Sequence, residues 1–275
     1  MVKPPDKLSN KVVVITGASS GIGKACAVEF AKKGAIIVLA ARSDSELKKI
    51  ENEIKLQNGN AFSVRTDVKK EDDCKKLIEK TVEKYGKIDV LINNAGISMR
   101  ANFNDLDLKV VKELMDTNFY GTIYCTKFAL PYLLRQKGIV IGISSISGLT
   151  PLPGRTGYSA SKHALDGFFN TLRIENMKEG LGVLVVHPGF TSSNIRKKAL
   201  NKNGISQMES PRNEDKMMSA EEVARIIAKA TLHKKRELIL TKQGKLLVLL
   251  YRFLPRITER ILLCAMNKEP SSPSL

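Results

Sequence analysis

The chain has 275 residues, 43% hydrophobic and 27% charged, a globular balance that excludes intrinsic disorder and leaves room for one large α/β domain or two small ones. Lysine and arginine number 45 against 28 acidic residues, a formal net charge of +17. Such an excess favours anionic cofactors, nucleic acids or acidic membrane surfaces; with no tryptophan and 5% aromatics, the base-stacking pattern of nucleic-acid binders is missing and no nucleic-acid partner is expected.

Four cysteines (Cys26, Cys74, Cys125, Cys264) stand far apart without a CxxC pair. This argues against a disulfide framework or a zinc site and fits a reducing, cytoplasmic compartment; no metal site is read. Residues 1–10 form a polar tail with two prolines, without the apolar stretch of a secretory signal.

Residues 11–16, Lys-Val-Val-Val-Ile-Thr, read as a strand buried on both faces. They lead into Gly17-Ala18-Ser19-Ser20-Gly21-Ile22-Gly23, a helical pattern over 24–33 ended by Gly34, and a second buried strand over 35–41. Strand, glycine-rich turn, helix and strand in about 30 residues make one βαβ unit. Glycines in that turn let the backbone approach a pyrophosphate, and the helix N-terminus supplies amide donors and a positive dipole. The second strand ends at Ala40-Ala41-Arg42-Ser43, with no acidic residue before Asp44. An acid there holds a ribose 2′-hydroxyl, whereas arginine accommodates a 2′-phosphate, so Arg42 with Ser43 points to NADP(H).

The alternation continues with a helix over 45–57, a strand over 61–66 ending at Asp67-Val68, and a helix over 71–84 closed by Gly86. A strand over 88–92 then runs into Asn93-Asn94-Ala95-Gly96. Helices over 105–115 and 122–135 are expected, joined through Asp116-Thr117-Asn118 and Gly121. Strands over 138–143 and 181–186 end at Ser144-Ser145 and His187-Pro188-Gly189. Repeated βα units predict a parallel sheet covered on both faces, a single doubly wound Rossmann-type α/β domain over 11–242. Ligands in such sheets bind outside the strands' carboxyl ends, where the glycine turn, Arg42, Asn94, Ser145 and Pro188-Gly189 all fall.

Tyr158-Ser159-Ala160-Ser161-Lys162 opens the next helix. Positions four apart share a helix face. A cation fixed near a phenol favours phenolate, which would lower its pKa from about 10 and make the tyrosine a usable acid–base group.

Taken together, Thr16 to Gly23, Asn93 to Gly96, Asn118, Ser145, Tyr158-x-x-x-Lys162 and Pro188-Gly189-Phe190-Thr191 resemble the short-chain dehydrogenase/reductase family over about residues 8–240. The resemblance implies a catalytic tetrad. Tyr158 passes the proton at the substrate oxygen, and Ser145, at the family's separation from the tyrosine where Ser144 is not, hydrogen-bonds that oxygen. Lys162 lowers the tyrosine pKa and binds the nicotinamide ribose, and Asn118 holds a relay water. It also implies a cofactor groove of Gly17, Ser19, Ser20, Gly21, Ile22, Gly23, Arg42, Ser43, Asp67, Val68, Asn94, Ala95, Gly96, Tyr158, Lys162, Pro188, Gly189 and Thr191. His163, His187 and His233 read as structural. The activity implied is NADPH-dependent ketone/secondary-alcohol interconversion in a homo-oligomer, a dimer or tetramer. The alternative is a non-catalytic NADP(H)-binding sensor or scaffold on the same fold.

Residues 192–219, polar and irregular with Arg196-Lys197-Lys198, occupy the position of a substrate lid. A strand over 237–240 precedes the last segment, 243–275. Over 245–266, Lys245, Arg252, Arg256 and Arg260 gather on one helical side, and Leu246, Leu250, Phe253, Leu254, Ile257 and Ile261 lie mainly opposite. The charges and Pro255 exclude a simple apolar span. An amphipathic, kinked helix pair fits a peripheral membrane anchor or an extension docked on protein; its apolar character favours a lipophilic substrate.

Overall fold

The computed structural model describes residues 8–191, 195–208 and 217–267. Seven strands, β1 (Val12–Thr16), β2 (Ile36–Ala41), β3 (Asn60–Arg65), β4 (Val90–Asn93), β5 (Ile139–Ile143), β6 (Gly182–His187) and β7 (Glu237–Ile239), form one sheet. Their order is β3-β2-β1-β4-β5-β6-β7 and every neighbouring pair is parallel. Consecutive connections run outward in one direction to β3 and then outward in the other from β4. The loops leaving β1 and β4 therefore diverge, and a crevice opens between them.

The central strands are β-branched and buried throughout, Val-Val-Val-Ile-Thr in β1 and Ile-Val-Ile-Gly-Ile in β5, because helices cover both faces. On one face α1 (Gly21–Lys32), α2 (Asp44–Leu56) and α7 (Ala220–Leu232) pack Phe30, Leu47, Ile50, Val223 and Ile227 against Ile15, Ile37 and Leu39. On the other, α3 (Glu71–Tyr85), α5 (Gly121–Arg135) and α6 (Thr156–Glu175) bring Leu77, Ile78, Ala129, Leu133, Leu165 and Phe169 to Val14, Val38 and Val140. At ~1.5–3 kcal/mol per fully buried aliphatic or aromatic side chain, these two layers supply most of the driving force that holds the strand ends in register.

Three local features depart from the sequence reading. Helix α1 begins at Gly21 rather than residue 24, so the last two glycines of the turn lie in its first turn. The helices expected at 105–115 and 122–135 are not separated: α4 (Leu108–Leu114), a π-helical turn (Met115–Tyr120) and α5 follow one another without leaving helical backbone. A π turn widens the spiral by one residue and is often found at functional positions; here it turns Asn118 inward, fully buried. Helix α7 lies where no element is read from the sequence. Ser219 accepts a hydrogen bond from the Glu222 amide at 3.1 Å, and Ser-x-x-Glu before an apolar run is a capping box.

The described part of the lid, 195–208, is irregular and sutured to the chain after β4. Leu200 N donates to Ser98 O and Leu200 O accepts from Arg100 N, both at 2.8 Å. The remaining lid positions, 192–194 and 209–216, lie outside the described residues, as do 1–7 and 268–275 of the predicted tails. Past β7, α8 (Lys242–Phe253) and α9 (Pro255–Asn267) form a helix pair broken at Leu254. Proline at the first helical position costs no hydrogen bond. Among the described residues no helix is long and apolar enough to cross a membrane.

Candidate active site

The crevice is built on Thr16 at the end of β1. Its Oγ1 accepts from Asn94 N at 3.0 Å and Ala95 N at 3.1 Å. Asn94 returns the contact, its Nδ2 donating to Thr16 O at 3.0 Å and Gly17 O at 3.1 Å. Two strand-end loops are thus tied together where the sheet order reverses. Gly17 sits at φ +64°, and a Cβ there would lie 2.8 Å from Ala95 Cα; one on Gly23 would lie 2.3 Å from Gly17 O. Only glycine fits either position.

Helix α1 then points its N-terminus into the crevice. Its N-cap residue Ser20 makes no side-chain cap and its first turn holds no acid, whereas α2 and α3 begin with Asp44 and Glu46, and with Glu71, Asp72 and Asp73. Uncapped amides with no competing carboxylate fit a dinucleotide pyrophosphate.

One cleft of about 570 Å³ takes in Gly17, Ser19, Ser20, Gly21, Ile22, Arg42, Ser43, Asp67, Val68, Asn94, Ala95, Gly96, Ser145, Tyr158, Lys162, Pro188, Gly189 and Thr191. Arg42 and Ser43 are exposed on its rim. Asp67 Oδ1 accepts from Lys69 N at 3.2 Å, while its own amide donates to Asp73 Oδ2 at 3.0 Å, holding the carboxylate at the turn after β3.

Two predicted site residues do not line the cleft. Gly23 is packed under Gly17. Asn118 lies behind the wall: its Oδ1 accepts from Ile97 N at 2.8 Å, and its Nδ2 donates to Ile97 O at 3.0 Å and Ser161 Oγ at 2.9 Å. Both amide hydrogens are engaged, so the side chain clamps the loop after β4 to α6.

At the catalytic end, Tyr158 is buried against Met99, Ala101, Leu106, Val110 and Leu114. Burial raises its phenol above the usual value, opposed by a hydrogen bond with the Ser145 side chain and by the Arg155 guanidinium. Neither lowering influence is Lys162, the residue expected to supply one. The lysine Nζ lies 5.7 Å from the Tyr158 ring centroid and donates to Ile143 O at 2.8 Å. Burial pulls the ammonium down from 10.5 to about 8, with Asp166 opposing. Ser144 also lines the cleft, with its Oγ 3.2 Å from Asp166 Oδ2. Burial lifts that carboxyl to about 7 against the Ser144 hydrogen bond and Lys162.

His163 and His233 each place Nδ1 on the carbonyl four residues back, Ser159 O at 2.9 Å and Lys229 O at 2.7 Å. His187 is buried, with Nδ1 3.2 Å from Ser145 O and Nε2 3.2 Å from Glu237 Oε1, and so braces the strand end behind Ser145.

The cleft also includes residues that the motifs leave out, among them Ser98, Leu152, Arg155, Ile195, Arg196 and Lys198. Arg155 stands three residues before Tyr158, a helix spacing that was available to be read; the lid residues carry no periodic signal.

A family model described as short chain dehydrogenase matches residues 11–204. The chain belongs to the short chain dehydrogenase family. Within that family it is 42% identical over 192 residues to 11-beta-hydroxysteroid dehydrogenase A of Sesamum indicum, 69% of this chain and 55% of that protein. It is 43% identical over 192 residues to 11-beta-hydroxysteroid dehydrogenase-like 3 of Arabidopsis thaliana, 69% of this chain and 62% of that protein. The match thus spans less than two thirds of either relative. Among solved structures, an alcohol dehydrogenase from the archaeon Thermococcus sibiricus, complexed with 5-hydroxy-NADP, superposes with a TM-score of 0.76 at 27% identity, covering 84% of this chain and 96% of that one.

Proposed function

We propose that this short chain dehydrogenase family member is an NADPH-dependent oxidoreductase that interconverts a ketone and a secondary alcohol. The observation that carries the reading is convergence: Ser145, Tyr158 and Lys162 stand in the same cleft as the glycine cradle and Arg42. The solved relative's 5-hydroxy-NADP and the absence of an acid between Ala41 and Asp44 support NADP(H) as the cofactor, which when bound supplies the hydride. Gly17, Gly21 and the first amides of α1 would hold its pyrophosphate, Arg42 and Ser43 its 2′-phosphate, and Lys162 its nicotinamide ribose.

The chain's own residues handle the proton. Because burial raises the Tyr158 phenol, the side chain is protonated at neutral pH, the form that donates to a carbonyl oxygen as it gains negative charge. Ser145, in the same cleft and held by the Ser147 amide donating to its Oγ at 3.1 Å, would supply a second donor at that oxygen, and donors fixed before reaction stabilise developing oxyanion. Asn118 acts as a positioning residue, keeping the Gly96–Ile97 loop and α6 in register. The steroid-dehydrogenase relatives support a lipophilic carbonyl. A panel of ketones with NADPH and NADH tests the reading. Reduction by NADPH is expected; tight NADPH binding with no ketone reduced would instead make the chain a nucleotide sensor.

We also propose peripheral membrane contact through α8 and α9. Leu246, Leu249, Phe253, Leu254, Ile257 and Ile261 are all exposed there, beside the exposed basic residues Lys242, Lys245, Arg252, Arg256 and Arg260, a combination suited to anionic headgroups. Flotation with phosphatidylserine vesicles should retain the full chain and release a truncation after Thr241. Equal binding by both contradicts the proposal, and a dimer lost on truncation assigns the face to a second copy.

A further inference from the structure

We propose that Asp166, His187 and Glu237 share one proton behind the catalytic end of the cleft, and that they are positioning residues for Ser145 and Lys162. The positioning role rests on the reading of this cleft as a ketone-reducing site; the shared proton rests on geometry alone.

His187, at the end of β6, is 1% exposed. Its Nδ1 lies 3.2 Å from Ser145 O, and a carbonyl oxygen only accepts, so Nδ1 carries a hydrogen. In a neutral imidazole Nε2 is then a bare acceptor. Yet Nε2 faces two carboxyl oxygens, Glu237 Oε1 at 3.2 Å and Asp166 Oδ1 at 3.7 Å. With both carboxylates ionised, three acceptors would converge with no hydrogen among them. Oδ1 is moreover buried, with no hydrogen-bond partner among the described residues. Holding such groups together out of water is costly unless a proton lies between them. The cluster therefore keeps one proton beyond the Nδ1 hydrogen, and that proton belongs to the three groups jointly.

The cluster sits against both catalytic residues. Asp166 follows Lys162 by one turn of α6. Its Oδ2 accepts from Ser144 Oγ at 3.2 Å, and a Cβ on Gly148 would collide with the same oxygen. Gly148 N and His187 Nδ1 both donate to Ser145 O, at 2.9 and 3.2 Å. Glu237, on the edge strand β7, has a half-exposed side chain through which the proton reaches solvent. Burial, the largest influence, disfavours ionised Asp166, and Glu237 adds to it against Ser144 and Lys162, lifting the carboxyl to about 7. Burial likewise disfavours imidazolium at His187, joined by Lys162 and opposed by Ser145 O and Glu237. Arg173 on α6, itself close to Arg236, also lies near Glu237. When the proton leaves, the Nε2 lone pair meets two carboxylates, the ring is driven back, and its bond to Ser145 O weakens. Ionised Asp166 then draws on the Lys162 ammonium.

The first readout is the imidazole itself. The chain has three histidines, so nitrogen-15 histidine labelling of the full-length protein gives three ring pairs, and His187→Asn identifies the one of interest. In wild type, His187 Nδ1 should stay protonated from pH 5.5 to 9 while Nε2 shifts through a titration step. In Asp166→Asn, whose amide offers a fixed N–H, that step should vanish or move by at least about one pH unit. Glu237→Gln, at a half-exposed side chain, makes the same comparison if Asp166→Asn does not fold. A bare Nδ1, or a step unchanged in the variant, overturns the proposal. The second readout is the pH profile of ketone reduction with NADPH. His187→Asn places an amide donor where Nδ1–H stands and has nothing to titrate, whereas His187→Leu drops the donor as well. Between pH 6 and 8 wild type should lose at least about fivefold more rate than His187→Asn, and His187→Leu should be slow at both ends. Parallel profiles of wild type and His187→Asn overturn the positioning role. If the histidine step behaves as expected and no ketone is reduced, the shared proton stands and the reductase reading alone falls.

Discussion

Replacing Thr16 by valine removes one hydroxyl and keeps the β-branched shape that suits the end of a strand. That hydroxyl is the acceptor for Asn94 N at 3.0 Å and Ala95 N at 3.1 Å, at a residue only 1% exposed. Its own donation to Ile92 O, at 3.5 Å, is at the limit of a useful hydrogen bond and adds little. Valine therefore strands two amide donors. At ~1–3 kcal/mol for each donor left without a partner, the loss comes to roughly 2–6 kcal/mol, towards the lower end because both amides are only part-buried, and still a large share of a marginal total. Thr16→Ser is the control: it keeps the acceptor and gives up one methyl, a loss of about 1 kcal/mol. Urea unfolding followed by circular dichroism should place the midpoint of Thr16→Val well below that of Thr16→Ser, and NADPH affinity should fall with it because the loop after β4 is no longer tied to the glycine turn. A valine variant within ~1 kcal/mol of wild type, or serine and valine variants alike, would refute the reasoning.

Arg42→Ala should weaken NADPH by about tenfold or more and NADH little, since a charge-assisted hydrogen bond is worth ~1.5–3 kcal/mol; equal losses in a fluorescence titration contradict the 2′-phosphate assignment. In Gly23→Ala the new Cβ would lie 2.3 Å from Gly17 O, and overpacking of roughly 1–3 kcal/mol should appear as weaker NADPH binding and a lower melting temperature. Lys162→Met tests the buried ammonium. With the folded pKa near 8 against 10.5, the unfolded chain holds a proton that the native state has shed between those values, so wild-type stability rises with pH across that window, by up to ~3 kcal/mol. The methionine variant should lack this rise when urea midpoints are measured from pH 7.5 to 10.5; parallel profiles would show that Lys162 is not desolvated.

Most of the sheet is legible in the sequence because its strands are buried on both faces and read as uninterrupted apolar runs such as Val12 to Ile15. The glycine spacing and the Tyr158–Lys162 pair are legible for a similar reason, since one turn geometry and one helix face dictate them. Legibility fails where structure depends on distant partners. The π turn at Met115–Tyr120 is imposed by Asn118 reaching Ile97 and Ser161, contacts 21 and 43 residues away. The Tyr158 phenol likewise feels burial, Ser145 and Arg155, which come from other elements or from ahead of the motif. Helix α7 is a different case: its capping box, Ser219 to Glu222, was there to be read. The lid positions Arg196 and Lys198 face the cleft because Leu200 is stitched to Ser98 and Arg100, a register that no local pattern encodes.

The central claim is that Tyr158 delivers the proton in a cleft built to bind NADPH. Single-turnover oxidation of bound NADPH by a ketone reduced by wild type, followed by absorbance in Tyr158→Phe, tests it most directly. The account predicts a rate at least ~100-fold lower, within the range for removing a general acid, with NADPH affinity within about twofold of wild type. A phenylalanine variant that turns over at the wild-type rate would contradict it.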